Sequence, residues 1–353
     1  MTDHLQVWRR GRLGRIRLNR PTALNALTLD MLLAFDTALD IFVADPQIVA
    51  LFVDGAGERG LCAGGDIRAL YEQRQSAPDF YKQFWRVEYA LNARIASLPK
   101  PYIVLMDGLV MGGGVGVSAH GSHRLATPRT RFAMPETQIG FLPDTGGTWL
   151  LGRRGAAGAC LALTGAEIGA GDLLRLALAD YCIDPGQIAD LEERLSKATN
   201  EKELTTILKA AHIPAPPDRL GAEHDVLSRA FVTDSVEASI RILQSDSGAF
   251  AKETCARLLR ASPTSLKLTR RLLTLAREGN SLESALINEY RAASSLLHSH
   301  DLFEGIRAAI IERDKNPRWS PDALAMVEDR DIEGLLRGTG DADPVFRHAK
   351  DRV

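Results

Sequence analysis

The stretch that decides the fold is residues 100–147, KPYIVLMDGLVMGGGVGVSAHGSHRLATPRTRFAMPETQIGFLPDTGG. Its apolar run at 102–106 predicts a buried strand. The three glycines at 112–114 then predict a turn into a short helix of small residues that begins near Gly113. Because glycine has no Cβ and the first N–H groups of a helix lack internal partners, this turn can present backbone donors to a negatively charged oxygen.

Two acidic residues follow the glycine turn. We expect a pair of strands over 124–126 and 131–134, then Glu136 in a turn, and Asp144 eight positions later. Both carboxyl groups can face one pocket, where they would perform acid–base or nucleophilic chemistry on the group that carries the oxygen. The alternatives are a solvated loop acid for Glu136 and a helix N-cap for Asp144.

A second glycine corner lies upstream. A buried strand is predicted over 48–53, and it leads to Gly64 and Gly65 just before a helix that starts at Asp66. If the two corners lie on neighbouring strands, one N–H from each can bind the same carbonyl oxygen and form an oxyanion hole. The alternative is that these glycines only permit tight strand-to-helix turns.

The composition narrows the class of protein. The chain has 353 residues, of which 45% are hydrophobic and 25% charged, a composition typical of a globular protein. Its net charge of −2 argues against a nucleic-acid or membrane-surface binder. Four scattered cysteines form no CxxC pair, so we expect no metal site and a reducing compartment. No run reads as a membrane span, and the N-terminus lacks the apolar segment of a signal peptide. These features predict a cytoplasmic protein.

The rest of the chain divides into two parts. Residues 12–18 predict an edge strand, and Thr28 predicts the N-cap of an amphipathic helix that ends near residue 43. The proline-rich segment at 213–217 predicts a linker, and mostly amphipathic helices follow it. We therefore expect a core of residues 1–212 and a helical C-terminal region of residues 213–353.

Other chemistries that glycine-rich motifs suggest do not fit. The run that starts at Gly112 completes no GxGxxG, and no P-loop lysine follows it. Ser118 resembles the nucleophile of a GxSxG elbow, but the fifth residue of that motif is not glycine. His120 and His123 have no metal-ligand partners at a suitable spacing, so we expect them to be ordinary structural histidines.

Several motifs together resemble the crotonase (enoyl-CoA hydratase/isomerase) superfamily. They are LNRPTALNALT, CAGGDI, KPYIVLMDGLVMGGGVG and FAMPETQIGFLPDTGG. The resemblance implies an α/β fold, a crotonase-like spiral of repeated ββα units with a helical C-terminal region. WRVEYALN and the C-terminal NEYRAASSLLHSHDLFEGIRAAIIERDKNPRW are similar to a hydrolase subgroup, which cleaves short 3-hydroxyacyl-CoA thioesters such as 3-hydroxyisobutyryl-CoA in valine breakdown.

The resemblance also implies the catalytic groups. The N–H groups of Gly65 and Gly113 match the oxyanion hole for the thioester carbonyl. Glu136 matches the catalytic glutamate of the superfamily, and Asp144 matches the second acid of the hydrolases.

Three further positions bear on substrate and reaction. Glu88 matches a glutamate that contacts substrate in the hydrolase subgroup, and Arg68 falls where relatives place a basic residue near the coenzyme A phosphates. Hydratases of the superfamily carry a second catalytic glutamate at the position of Gly116 and typically have glycine in place of Asp144. This exchange of acids favours attack at the thioester carbonyl over hydration of a double bond.

These inferences define the expected partners. The substrate is a small-molecule acyl-CoA, in which coenzyme A is part of the substrate, and no separate cofactor or metal is expected. We expect no nucleic acid and no membrane as partners, and a homo-oligomer is possible. The alternatives are an enoyl-CoA hydratase or isomerase, and a non-catalytic crotonase-fold scaffold or RNA-binding protein.

Overall fold

The computed structural model describes residues 2–77 and 79–346. Its strands, in chain order, are β1 Leu5–Arg10, β2 Leu13–Leu18, β3 Ala50–Gly55, β4 Gly60–Cys62, β5 Tyr102–Met106, β6 Leu109–Met111, β7 His123–Ala126, β8 Arg131–Ala133 and β9 Tyr181–Cys182. They form a six-stranded sheet in the order β1-β2-β3-β5-β7-β9 and a three-stranded sheet in the order β4-β6-β8. All strand pairs are parallel except β1 with β2.

Helices separate and follow the strands. They are α1 Leu29–Ala44, α2 Ile67–Gln73, α3 Phe80–Ala96, α4 Gly113–Gly116, α5 Gly147–Gly152, α6 Gly155–Thr164, α7 Ala170–Arg175, α8 Ile188–Lys197, α9 Glu201–Ala211, α10 His224–Phe231, α11 Val236–Ser245, α12 Ala249–Arg260, α13 Pro263–Glu278, α14 Leu282–Leu296, α15 His300–Ile306 and α16 Asp329–Leu336. A π-helical turn, Arg307–Ile311, extends α15.

From β3 to β8, successive strands alternate between the two sheets. β3, β5 and β7 belong to the large sheet, whereas β4, β6 and β8, which follow each of them along the chain, belong to the small sheet. A helical segment follows each strand couple, so the architecture of repeated ββα units is confirmed. Within the described residues no strand follows β9, which also confirms the helical C-terminal region.

The predicted strand pair at 124–126 and 131–134 is wrong as a pair. Both strands exist, but β7 pairs with β5 and β9, whereas β8 pairs with β6. The reason is a turn in which Thr127 N donates to Thr130 Oγ1 (2.8 Å) and Thr130 N donates to Thr127 O (3.0 Å). The turn carries the chain from one sheet to the other instead of folding it back on itself.

The edge position predicted for residues 12–18 is also wrong. β2 lies between β1 and β3, and β1 is the outer strand of the sheet. The two form a hairpin in which Leu5 faces Leu18, and Gly11 supplies the left-handed conformation (φ +56°) that its turn needs. The interior position explains why Arg15 is buried against Asp54 and Glu192.

The helix predicted after Thr28 is confirmed as α1. The Thr28 side chain accepts a hydrogen bond from Met31 N (3.3 Å), as an N-cap residue does. One hydrophobic cluster extends from Leu5 to Ile332, so side chains from both predicted parts of the chain share a core. The boundary between residues 212 and 213 stays a prediction. Among the described residues, no helix combines the length and apolarity needed to cross a membrane.

Candidate active site

The two glycine corners meet at the end of the small sheet. β4 and β6 are neighbours there, and each leads directly into one corner. Gly64 (φ +108°) and Gly112 (φ +51°) turn the chain in conformations that favour glycine. The approach is close, because a Cβ built on Gly64 would lie 3.5 Å from Gly113 N, and one on Gly113 would lie 3.5 Å from Gly65 N.

The Gly65 and Gly113 amides are therefore neighbouring donors. Within the described part of the chain, neither N–H donates a hydrogen bond to another protein group. Gly113 is also the first residue of α4, where an N–H has no partner inside the helix. Two such donors beside each other can bind one carbonyl oxygen, and a single donor of this kind stabilises a developing oxyanion by about 3 kcal/mol.

Glu88 and Glu136 face these amides. Glu88 is on α3, and its Oε1 occupies the space that a Cβ on Gly113 would need. Glu136 follows β8, and its Oε1 would lie 3.1 Å from a Cβ on Gly112. Both side chains are buried, and Glu88 Oε1 and Glu136 Oε2 have no hydrogen-bond partner among the described residues. Unpaired buried oxygens are unusual in folded proteins, and these two belong to residues that line a cavity, where a bound ligand can supply the missing partner.

Asp144 belongs to the same group of acids and is not a helix N-cap. The N-cap of α5 is Gly146, which has no side-chain capping bond. The buried Asp144 carboxylate instead accepts a hydrogen bond from the Tyr89 hydroxyl (2.8 Å), one residue after Glu88 on α3. The N-cap alternative is thus wrong, because the side chain points into the cavity.

The turn that carries Asp144 is held by two residues that the sequence analysis did not identify as functional. His120 Nε2 donates to Thr145 O (2.8 Å), and Thr145 has a φ of +56°, which is strained for a β-branched residue. On the other side, the Glu289 carboxylate of α14 accepts from Gly146 N (2.7 Å) and Thr148 N (3.0 Å). Glu289 lies in the NEYRAASS motif, which was recognised but was given no role.

Burial shifts the proton affinity of every acid in this group. It raises the pKa of Glu88 and of Glu136 well above the ordinary range, and the negative charge of Asp144 raises both further. Burial raises the pKa of Asp144 from 3.8 to about 7, although the hydrogen bond from Tyr89 opposes that rise. At neutral pH the group therefore holds protons that it can give as well as carboxylate that can accept them.

These groups line one cavity of about 940 Å³. Its inner walls include aromatic side chains, among them Trp85 and Phe141, whose rings stack 5.3 Å apart. Six cationic residues also line it: Arg20, Arg59, Arg68, Arg260, Arg313 and Lys315. Arg68 is half-exposed and donates to the Ile310 carbonyl (2.9 Å), so the structure brings it to the same cavity as the acids.

Position 116 has no space for a side chain. A Cβ on Gly116 would lie 2.7 Å from Thr145 Cβ and 2.8 Å from Asn92 Nδ2, closer than van der Waals contact allows. The acid that hydratases carry at this position cannot be accommodated here without a shift of these neighbours.

The remaining candidates have structural roles. Ser118 lies in the turn that follows α4, is buried and donates to Gly114 O (2.6 Å), so its hydroxyl is not placed as a nucleophile. His123 Nδ1 lies 2.9 Å from Ser122 Oγ. Across residues 2–77 and 79–346, no group of three or more His, Cys, Asp or Glu is arranged to hold a metal ion.

Comparisons with known proteins find a matching family model and several similar proteins of one name. The enoyl-CoA hydratase/isomerase family model matches residues 13–336. The mitochondrial 3-hydroxyisobutyryl-CoA hydrolase of Mus musculus is 40% identical over 348 residues, which cover 96% of this chain and 90% of that protein. The Homo sapiens protein of the same name is 38% identical over 354 residues, with 98% and 91% covered.

Two solved structures are similar along nearly the whole chain. A carnitinyl-CoA dehydratase from Mycobacterium thermoresistibile matches with a TM-score of 0.92 and 36% identity, covering 98% of this chain and 99% of that one. An enoyl-CoA hydratase from Rhodobacter sphaeroides 2.4.1 matches with a TM-score of 0.90 and 36% identity, covering 98% and 100%. These matches show that the spiral of ββα units is shared with proteins named for reactions of coenzyme A thioesters.

The buried acids are expected to destabilise the fold at high pH. Because the pKa of Glu136 is raised in the folded state, that state binds more protons than the unfolded state above pH 4.5, and the free energy of unfolding falls as the pH rises. Glu136→Gln removes this effect. We expect the variant to be more stable than wild type at pH 8 by at least about 1.4 kcal/mol, the equivalent of one pKa unit, and to gain less at pH 5.

Urea unfolding of both proteins at the two pH values measures this difference. The exposed Glu278 on α13 provides a matched control, since Glu278→Gln should change stability equally little at either pH. A Glu136→Gln variant that is no more stable than wild type at pH 8 would contradict the prediction.

The contact between Glu289 and α5 is expected to matter for the rate. Glu289→Gln replaces a carboxylate oxygen that faces a backbone N–H by an amide N–H₂, so one donor of the Asp144 turn loses its acceptor. We expect kcat for the preferred thioester to fall about 10- to 100-fold with KM changed less than threefold, because the acid is displaced while the binding cavity is retained. Glu278→Gln again serves as the control, and an unchanged kcat would show that the contact does not position Asp144.

Proposed function

This chain belongs to the enoyl-CoA hydratase/isomerase family, as its motifs indicate, and within that family we propose that it hydrolyses 3-hydroxyisobutyryl-CoA to 3-hydroxyisobutyrate and coenzyme A. Relatives of up to 40% identity over nearly the whole chain carry this thioester hydrolase activity in their names. The observation that carries the choice of reaction is the exchange of acids. Position 116 has no room for a carboxylate, whereas Asp144 is buried in the cavity beside Glu136.

The reaction begins with the thioester carbonyl between the N–H groups of Gly65 and Gly113. An oxygen nucleophile attacks the carbonyl carbon, the carbonyl electron pair moves onto its oxygen, and the two amides stabilise the charge. When that pair returns, the C–S bond breaks and the coenzyme A thiolate takes up a proton. The amides need no reorganisation during this step, because the corners that hold them are fixed by β4 and β6.

Glu136 supplies the nucleophile in one of two ways. As a general base, it accepts a proton from the attacking water; as a nucleophile, it forms a mixed anhydride that water then opens. The raised pKa of Glu136 suits the first route, since a more basic carboxylate takes a proton from water more readily. Asp144 orients the water or the substrate hydroxyl and assists proton transfer, and Glu88 binds the acyl group.

The cavity fits the remainder of an acyl-CoA molecule. Its aromatic walls suit the apolar parts, and Arg59, Arg313 and Lys315 present positive charge to phosphate groups. Arg68 belongs to the same set of cations, and we assign it a contact with the coenzyme A phosphates. Coenzyme A enters as part of the substrate, and the proposed chemistry uses protein side chains and water without a separate cofactor or metal.

The alternative reaction is hydration of an enoyl-CoA. The two similar solved structures, named as a dehydratase and a hydratase, favour it, since their identity to this chain is close to that of the named hydrolases. The occupied space at Gly116 argues against it, because a hydratase of the kind described above needs its second acid there. A non-catalytic scaffold or RNA-binding role does not account for the buried acid group.

Location and assembly belong to the proposal as well. The cysteines Cys62, Cys160, Cys182 and Cys255 are free and buried, which suits a reducing compartment. We keep the cytoplasm as the proposed location, while the named relatives are mitochondrial. A homo-oligomer also stays a prediction.

The purified protein should release thiol from 3-hydroxyisobutyryl-CoA and should not hydrate crotonyl-CoA. A chromogenic disulfide measures the free thiol, and the loss of enoyl absorbance measures hydration. We expect Glu136→Gln to lower kcat/KM for hydrolysis by at least about 10²-fold, the smallest effect typical of general acid–base catalysis, with Glu278→Gln as the unaffected control. Hydration of crotonyl-CoA without thiol release would favour the alternative reaction.

The pH dependence should reflect the buried acids. Glu136 must be ionised to act, and burial and the charge of Asp144 raise its pKa, so the fall of kcat/KM on the acid side should lie well above pH 4.5, the ordinary pKa of a glutamate. Asp144→Asn removes the negative neighbour that raises the Glu136 pKa, so the acid limb of the remaining activity should move to lower pH. A pH–rate profile of both proteins tests this, and a wild-type rate that is constant down to pH 5 would contradict it.

A further inference from the structure

One helical turn from Glu88, which lines the cavity, α3 carries a buried polar side chain that the mechanism above does not use. Asn92 is on α3, four residues after Glu88, so both side chains lie on the same face of that helix. Asn92 is fully buried, and within the described residues neither its Nδ2 nor its Oδ1 has a hydrogen-bond partner. An amide left wholly unpaired in a protein interior is rare and costly, which indicates that something else binds it.

The surroundings of Asn92 place it beside the reacting groups. Its Nδ2 and Oδ1 would lie 2.8 and 3.0 Å from a Cβ on Gly116, three residues after the oxyanion-hole amide of Gly113. Thr145 lies against the same point, with its Cβ 2.7 Å from that position. Thr145 is buried and directly follows Asp144, and its Oγ1 has no partner among the described residues. Two unpaired polar side chains therefore meet between the oxyanion hole and the Asp144 turn.

The chemistry of this pair fits a hydroxyl group. A primary amide offers one acceptor and two donor hydrogens, and an alcohol donates one hydrogen bond and accepts others, so the two groups satisfy each other. A carboxylate would pair with Nδ2 but would leave Oδ1 facing another acceptor. An alkyl group would leave both amide atoms unpaired.

We propose that Asn92, assisted by Thr145, binds the 3-hydroxyl group of the acyl chain and sets the preference for 3-hydroxyacyl over plain acyl thioesters. This inference rests on the proposed thioester hydrolysis and adds the residue that selects its substrate. The hydroxyl would donate to Asn92 Oδ1 and accept from Nδ2. A substrate without that hydroxyl leaves the buried amide unpaired, and sites of this kind reject such analogues strongly.

The discriminating experiment compares two thioesters that differ only in that hydroxyl. We would measure kcat/KM for 3-hydroxyisobutyryl-CoA and for isobutyryl-CoA with wild type and with Asn92→Leu, which keeps the approximate size of the side chain but removes its polar atoms. Wild type should prefer the hydroxylated ester by at least about 10²-fold. In Asn92→Leu, kcat/KM for that ester should fall so far that the preference drops below tenfold.

A second variant and a control separate recognition from folding. Thr145→Val keeps the branched shape and removes Oγ1, so it should lower the preference about three- to tenfold. Ser118→Ala removes a buried hydroxyl from the other end of the α4 turn, where it bonds only to backbone carbonyls, and should leave the preference unchanged. Thr145→Val remains informative if Asn92→Leu does not fold.

The outcomes have distinct meanings. If Asn92→Leu lowers kcat/KM for both thioesters by the same factor, Asn92 has a structural role and the inference is wrong. If wild type cleaves both thioesters equally well, the inference is wrong whatever the variants do, while the proposed hydrolysis stands. If wild type cleaves neither, the proposed function fails first and the inference fails with it.

Discussion

The close approach of two backbone corners is the constraint on which the site depends. β4 and β6 must end side by side for the Gly65 and Gly113 amides to point into one space, and side chains at the corners would prevent it. A Cβ on Gly114 would run into the Cys62 carbonyl, and one on Gly113 would displace Glu88. The small three-stranded sheet thus exists in its present form because its glycines allow the backbone to approach so closely.

The C-terminal helices complete the site and do more than cover it. Glu289 of α14 binds the start of α5, which holds the turn that carries Asp144. The segment after α15 adds Arg313 and Lys315 to the wall of the cavity. The acids therefore come from the ββα spiral, whereas part of their support and part of the positive charge come from residues more than 140 positions further along the chain.

Burial explains both the chemistry and its cost. Three carboxyl groups in a buried cavity lose hydration and repel one another, so the pKa values of Glu88 and Glu136 rise well above the ordinary range and that of Asp144 rises to about 7. The burial and the charge repulsion that make Glu136 a stronger base also lower the stability of the folded protein. Residues such as Tyr89 and His120 offset a part of this cost by fixing the Asp144 turn through hydrogen bonds.

Local patterns in the sequence were enough to predict the strand at 102–106, the helix capped by Thr28, both glycine corners and the candidate acids. These features could be predicted because periodicity, capping and glycine runs are properties of neighbouring residues. They did not predict the three-residue strands β4 and β6, nor that 124–126 and 131–134 pair with other strands, because such short strands exist only through their partners. Asn92 and Glu289 likewise look like ordinary helix residues in the sequence. Their roles follow from the tertiary structure alone, which brings α3 and α14 against the Asp144 turn. There Asn92 is an unpaired amide beside the acids, and Glu289 binds the start of α5.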